Sequence, residues 1–208
     1  HCANGDSGGE IRSVLTNVKV SIRGRDFRIR PGLGLLEVES GQTQFSRTRD
    51  DWGNWFSCNN PNQGWHYALL DHYTRRNPHV APPNPRVDLA ADRRVYPGGR
   101  ILTHCFLPLP PLENAAGAFT SACGITVYRD ELFGKHFRNN TFTGEPIHNA
   151  IHRRVLVPDG VTFKSHRAPG EEHREFLSAS DPWFRPTTIR TAPDGTLWFA
   201  DMYRIVLE

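Results

Sequence analysis

No stretch of this chain approaches the roughly 18 consecutive apolar residues of a membrane-spanning helix, so no transmembrane segment is expected in it. No signal-peptide pattern stands at its start. Cysteine is sparse, with four in 208 residues. None of Cys2, Cys58, Cys105 and Cys123 lies in a C-x-x-C pair, which argues against a zinc ribbon or a thioredoxin-type site. C-x-x-C-H is absent too, so no c-type haem is attached in this segment. Windows of 3.6-residue periodicity are few, which disfavours a helical class. Neither sign of charge dominates: 25 basic residues face 22 acidic ones, for a net charge of +3. The basic residues are scattered and form no stripe, so no nucleic-acid partner is expected.

Glycine and proline, by contrast, are plentiful, at 18 and 16. With many short aromatic runs between them, they read as all-β. Four segments repeat one pattern: HCANGDSGGEI (1–11), NWFSCNNPNQGWHY (54–67), NTFTGEPIHNAIH (140–152) and TLWFADMYRIV (196–206). Each runs from an aromatic or apolar stretch into a small residue and then an acid or amide. Aligned on the strand end, Asp6, Asn59, Glu145 and Asp201 share one position, with steps of 53, 86 and 56 residues. Repeats near 40–50 residues point to a β-propeller, one four-stranded blade per unit. The aligned residues are then expected to end the innermost strands, face a central channel and bind substrate there.

Residues 77–116 interrupt the pattern. NPHVAPPNPRVD and LPLPPLENAAG are dense in proline, which cannot donate to a β ladder. The stretch is expected as an insertion over one face of the sheets, either a functional loop or a rigid spacer. The chain opens and closes inside strand-like sequence, so it is expected to be one partial propeller domain, 1–208, of a longer protein.

Several motifs invite chemistry. GDSGG (5–9) resembles the nucleophile loop of trypsin-like proteases, but that nucleophile comes late in its domain, after the His and Asp it needs. Here it comes first, and a glycine-rich turn is the better reading. His148 and His152 stand four apart without the Glu of H-E-x-x-H. Metal ligands, channel-lining groups and ordinary packed histidines all remain open for them, and the metal set is unknown. Arg185, in DPWFRP (181–186), suits recognition of an anion or a sugar oxygen, or stacks on Trp183. The cysteines form disulfides or stay as buried thiols; Cys58 and Cys123 could meet across a repeat boundary.

GNWFSCNNPNQGWHY, RRNPHVAPPNPRVD, FTSACGITVYRDELFG, GEPIHNAIHRRVLVPDGVTF and DPWFRPTTIRTAPDGTLWFADMYR together resemble the membrane-bound dehydrogenase domain of planctomycete and verrucomicrobial proteins. That family is similar to the soluble glucose and sorbosone dehydrogenases. The resemblance implies a six-bladed propeller, of which about four blades are present. It implies an extracytoplasmic oxidoreductase acting on a small carbohydrate or polyol, with pyrroloquinoline quinone and calcium as cofactors. Electrons would pass to a cytochrome c domain of the same longer protein. His66 or His148 would be the base and Arg185 would stabilise developing charge. The alternative is a non-catalytic propeller that binds polysaccharide or a partner protein, with Trp55, Trp65, Trp183 and Trp198 to stack on sugar rings. Convergence of His66, His148 and Arg185 in one deep pocket favours the enzyme, and dispersal favours the binder.

Overall fold

A computed structural model describes residues 8–99 and 117–205. It is all-β, with 40% strand and 7% helix, far below the usual third of helix. The strands run β1 (Glu10–Arg12), β2 (Lys19–Ser21), β3 (Asp26–Arg30), β4 (Leu35–Glu39), β5 (Arg47–Arg49), β6 (Trp55–Asn59), β7 (Asn62–Tyr67) and β8 (Arg86–Asp88). After the proline-rich stretch come β9 (Cys123–Val127), β10 (Thr141–Glu145), β11 (Ala150–Asp159), β12 (Thr162–His166), β13 (Leu177–Ser178), β14 (Pro186–Thr191) and β15 (Leu197–Asp201). Among the described residues the one α-helix, α1 (Asp71–Thr74), follows β7.

Two antiparallel meanders in chain order dominate, β5-β6-β7-β8 and β9-β10-β11-β12, with β13 added against β11. Before them stand the pairs β1-β2 and β3-β4, and after them the pair β14-β15. Tight turns join paired strands. Between β5 and β6, Asp50 accepts the N–H groups of Trp52 and Asn54 at 3.0 and 2.8 Å. Gly53 there has φ +88°, which a side chain resists. Between β14 and β15, Asp194 accepts the Thr196 N–H and hydroxyl.

The sheets stack face to face. Phe56 and Cys58 of β6 pack on Ile125 and Val127 of β9, with Leu89 beside them. On the opposite face, Phe142 of β10, Ile151 of β11 and Tyr128 pack on Ile189 of β14. Each such side chain is worth about 1.5–3 kcal/mol when fully buried. Two-sided packing explains why β7, β9 and β10 are buried at every position, rather than alternating. Gly124 of β9, at φ +64°, lies so close to β14 that a Cβ would overlap the Thr187 carbonyl oxygen.

The join between β3-β4 and the first meander is polar instead. Asp26 accepts the Thr43 hydroxyl at 2.5 Å and the Arg47 guanidinium at 2.9 Å. The Thr43 hydroxyl also meets Tyr67 and Ser57 at 2.8 and 2.7 Å. The side chains of this network are buried, which makes its hydrogen bonds costly to lose, and only Arg47 Nε and Nη2 lack a partner in it.

Asn59, Glu145 and Asp201 do end equivalent five-residue strands, but these are the second strands of their sheets, not the first. Residues 86–88, inside the expected insertion, form the fourth strand of the first meander because the extended Arg86–Asp88 pairs with β7. Residues 100–116 lie outside the described residues, as do Asp6, Cys2 and Cys105. Cys58 and Cys123 are not bridged; both are free, buried thiols. No helix among the described residues is long and apolar enough to cross a membrane.

Candidate functional site

Strand β10 ends at Glu145, and Pro146–His148 then forms one 3-10 turn closed by Asn149 at φ +54°. The turn folds His148 back over Glu145, where its Nδ1–H donates to the carboxylate at 3.1 Å. Glu145 also accepts the Ser121 hydroxyl at 2.8 Å and the Ser121 N–H at 3.1 Å. The other His148 nitrogen, Nε2, accepts the Gly117 N–H at 3.1 Å. Donor and acceptor roles are therefore assigned, and His148 is a neutral Nδ1–H imidazole. Both side chains are within 1% of full burial.

Arg185 lies against the same turn, just before β14. Its guanidinium donates to the carbonyls of Pro146 (2.7 Å), Ile147 (3.3 Å), Arg204 (3.1 Å) and Ile205 (2.9 Å). Burial pushes its pKa down, while the nearby Asp201 opposes this. The Asp201 carboxylate accepts the main-chain N–H of Arg185 at 2.7 Å and that of Tyr203 at 2.9 Å. Glu145, His148, Arg185 and Asp201 thus form one continuous cluster. Asn59 stands nearby, since its neighbour Asn60 accepts the Ala122 N–H; its own Oδ1 is buried without a hydrogen-bond partner.

His66 is elsewhere. On β7 it is packed among Phe56 and Phe163 at ring separations of 5.2 and 5.1 Å, with Nδ1 on the Thr162 hydroxyl at 2.9 Å. Burial lowers its pKa. His152 does not share a site with His148 either. On β11, its Nδ1–H donates at 2.5 Å to Glu175, which also pairs with Arg167. Burial lowers the His152 pKa, and would raise that of Glu175 but for these partners, which hold it below the usual carboxylate range. Glu175 is 23 residues from His152, and no short motif links them. Among the described residues no three His, Cys, Asp or Glu side chains gather as a metal site.

The arginines that sequence reading passed over define a second region. A cavity of about 490 Å³ opens where β5, β9 and β14 run side by side. Arg47 and Arg49 of β5, Arg129 just after β9 and Arg190 of β14 line it, with Trp55 and Thr126. No carboxylate is among its lining residues. Arg47 is held by Asp26 and lies over the Trp55 and Tyr67 rings at 4.9 and 4.6 Å, with Nε and Nη2 lacking hydrogen-bond partners. Arg129 pairs with Asp51 at 2.5 Å. Arg190 donates to the Ile189 carbonyl at 2.7 Å and reaches Ser46 at 3.5 Å. The signal was present in sequence as Arg-Asp at 49–50 and again at 129–130, each at or just past the end of the first strand of a meander.

Fold and site thus describe an all-β protein of stacked antiparallel sheets with a cationic cavity over its first strands. The chain belongs to the family described as "Domain of unknown function (DUF7133)", whose model matches residues 1–208. No curated protein and no solved structure matches the chain.

Proposed function

We propose that this chain is a propeller-type ligand-recognition unit whose binding site lies over the first strands of successive blades. The observation that carries the reading is the side-by-side placement of β5, β9 and β14, each opening its own sheet, around one cavity. Blades are four-stranded meanders arranged about a channel, and β5–β8 and β9–β12 have that order.

Recognition is favoured over the dehydrogenase reading because His66 stands apart from the cluster that holds His148 and Arg185, and because those two are engaged within the protein. A general base must reach the proton it abstracts, yet both ring nitrogens of His148 are engaged within the protein. His66 lies in an aromatic pocket away from it, and Arg185 is spread over main-chain carbonyls. These residues do not fit the roles that pyrroloquinoline quinone chemistry would give them. Calcium takes six to eight oxygen ligands, carboxylates prominent among them, and no three Asp, Glu, His or Cys side chains gather among the described residues. No catalytic step is therefore assigned.

The test is paired. The chain, supplied with quinone and calcium, is assayed for dye reduction over a panel of sugars and polyols, and for ligand uptake by calorimetry over the same panel and a set of small anions. The recognition reading expects saturable uptake that survives His66→Ala, without turnover. Turnover that falls about 10²-fold in His66→Ala or His148→Ala would restore the enzyme.

A further inference from the structure

We infer that the arginine-lined cavity binds a small molecule carrying oxyanion groups, carboxylate or phosphate, through Arg49, Arg129 and Arg190. The inference rests on the recognition reading and adds the chemistry of the ligand.

Three successive first strands deliver these arginines to one concavity. Arg49 ends β5, Arg129 stands two residues past β9, and Arg190 lies within β14. Like charges brought together repel unless an opposite charge offsets them. Two carboxylates supply part of that offset from outside the lining, Asp26 to Arg47 and Asp51 to Arg129. Asp51 is shared with Arg138. Arg49 and Arg190 make no ion pair among the described residues, and the cavity wall offers them no acid. An anionic ligand would complete the balance.

The chemistry of the lining narrows the class. Guanidinium groups present planar forks that match carboxylate and phosphate in two parallel hydrogen bonds. Thr48, Thr126 and Thr191 add hydroxyls at the same wall, and Trp55 adds an aromatic edge. A volume of about 490 Å³ falls in the range of small-molecule pockets. It favours a compact ligand over a polymer lying across the surface.

The probes are citrate and inorganic phosphate, with neutral glucose as the uncharged control. Isothermal titration of the 208-residue chain is carried out at low and high salt, alongside the Arg49→Gln/Arg190→Gln double variant. Citrate or phosphate should bind saturably, more weakly at high salt. The double variant should lose at least about tenfold in affinity, the scale of one charge-assisted hydrogen bond. Lys164→Gln, in the distant β11–β12 hairpin where Lys164 pairs with Asp159, should bind as the parent does. Which anion binds more tightly separates a carboxylate from a phosphate ligand. Glucose uptake without anion uptake would overturn this inference and leave the recognition reading standing. Uptake of none of the three at millimolar concentration would overturn this inference and leave the recognition reading to its own panel, and equal anion affinity in parent and double variant would place the anion elsewhere and overturn the site.

Discussion

Replacing Glu145 by Gln tests whether the strand-end acid holds the fold or serves chemistry. The carboxylate is fully buried. Its Oε1 accepts the Ser121 hydroxyl at 2.8 Å, His148 Nδ1 at 3.1 Å and the Ser121 N–H at 3.2 Å, while Oε2 accepts the same N–H at 3.1 Å. The best placement of a glutamine keeps its oxygen at Oε1 and turns the amide nitrogen toward the Ser121 N–H. One donor then faces another, and the contacts that remain lose their charge. Hydrogen bonds to charged groups contribute about 1.5–3 kcal/mol, and an unsatisfied buried donor costs about 1–3 kcal/mol. The substitution should therefore destabilise by about 2–4 kcal/mol. For a chain of this size that corresponds to a fall in Tm of very roughly 5–15 °C. Urea denaturation followed by tryptophan fluorescence gives the free energy directly. Pairing Glu145→Gln with His148→Gln closes a double-mutant cycle, and contact between the two predicts a combined cost below the sum. A loss under about 0.5 kcal/mol, the level of an ordinary surface change, would refute the reasoning and return Glu145 to the candidates for a functional acid.

Gly124→Ala should cost about 2 kcal/mol or more by chemical denaturation, because φ is +64° and the added methyl overlaps Thr187 main chain; a neutral result would disprove the close approach of β9 and β14. Native stability should fall as pH drops below about 6.5, the unperturbed histidine value. Burial holds His66 and His152 below that value in the folded state, so below it the unfolded chain binds more protons and folding weakens. A His66→Phe/His152→Gln double variant should show a flatter slope from pH 7 to 5 by thermal melting, and an unchanged slope would count against both burials. Cys58, whose thiol burial pushes up to about 12, and Cys123, raised for the same reason, should resist thiol reagents in native buffer and react in denaturant, as peptide mapping would show; rapid native labelling of either would contradict its place in the core.

The fold class was legible in local chemistry. Turn residues at Asp50–Gly53 and Pro193–Gly195, and short aromatic runs between them, encode strand and hairpin within a few residues, so no distant contact is needed to read them. Three strand ends were legible for the same reason: Asn59, Glu145 and Asp201 each close a strand, as their shared position in the pattern required. What local pattern could not give was the rank of those strands within their sheets. That rank depends on pairing with the short β5 and with β9, and a three-residue strand such as Arg47–Arg49 carries almost no periodicity of its own.

The site was decided by tertiary structure. Sequence marks His66 and His148 as equal candidates, since each follows an aligned polar residue by a few positions. Only the fold sends one into an aromatic pocket with Phe56 and Phe163 and locks the other between Glu145 and Gly117. Likewise Arg49, Arg129 and Arg190 lie 80 and 61 residues apart and share no continuous motif. They line one cavity because three sheets stack in chain order and bring their first strands together. Strands and turns follow from neighbours along the chain, whereas a binding surface made of one residue per sheet exists only once the sheets have packed.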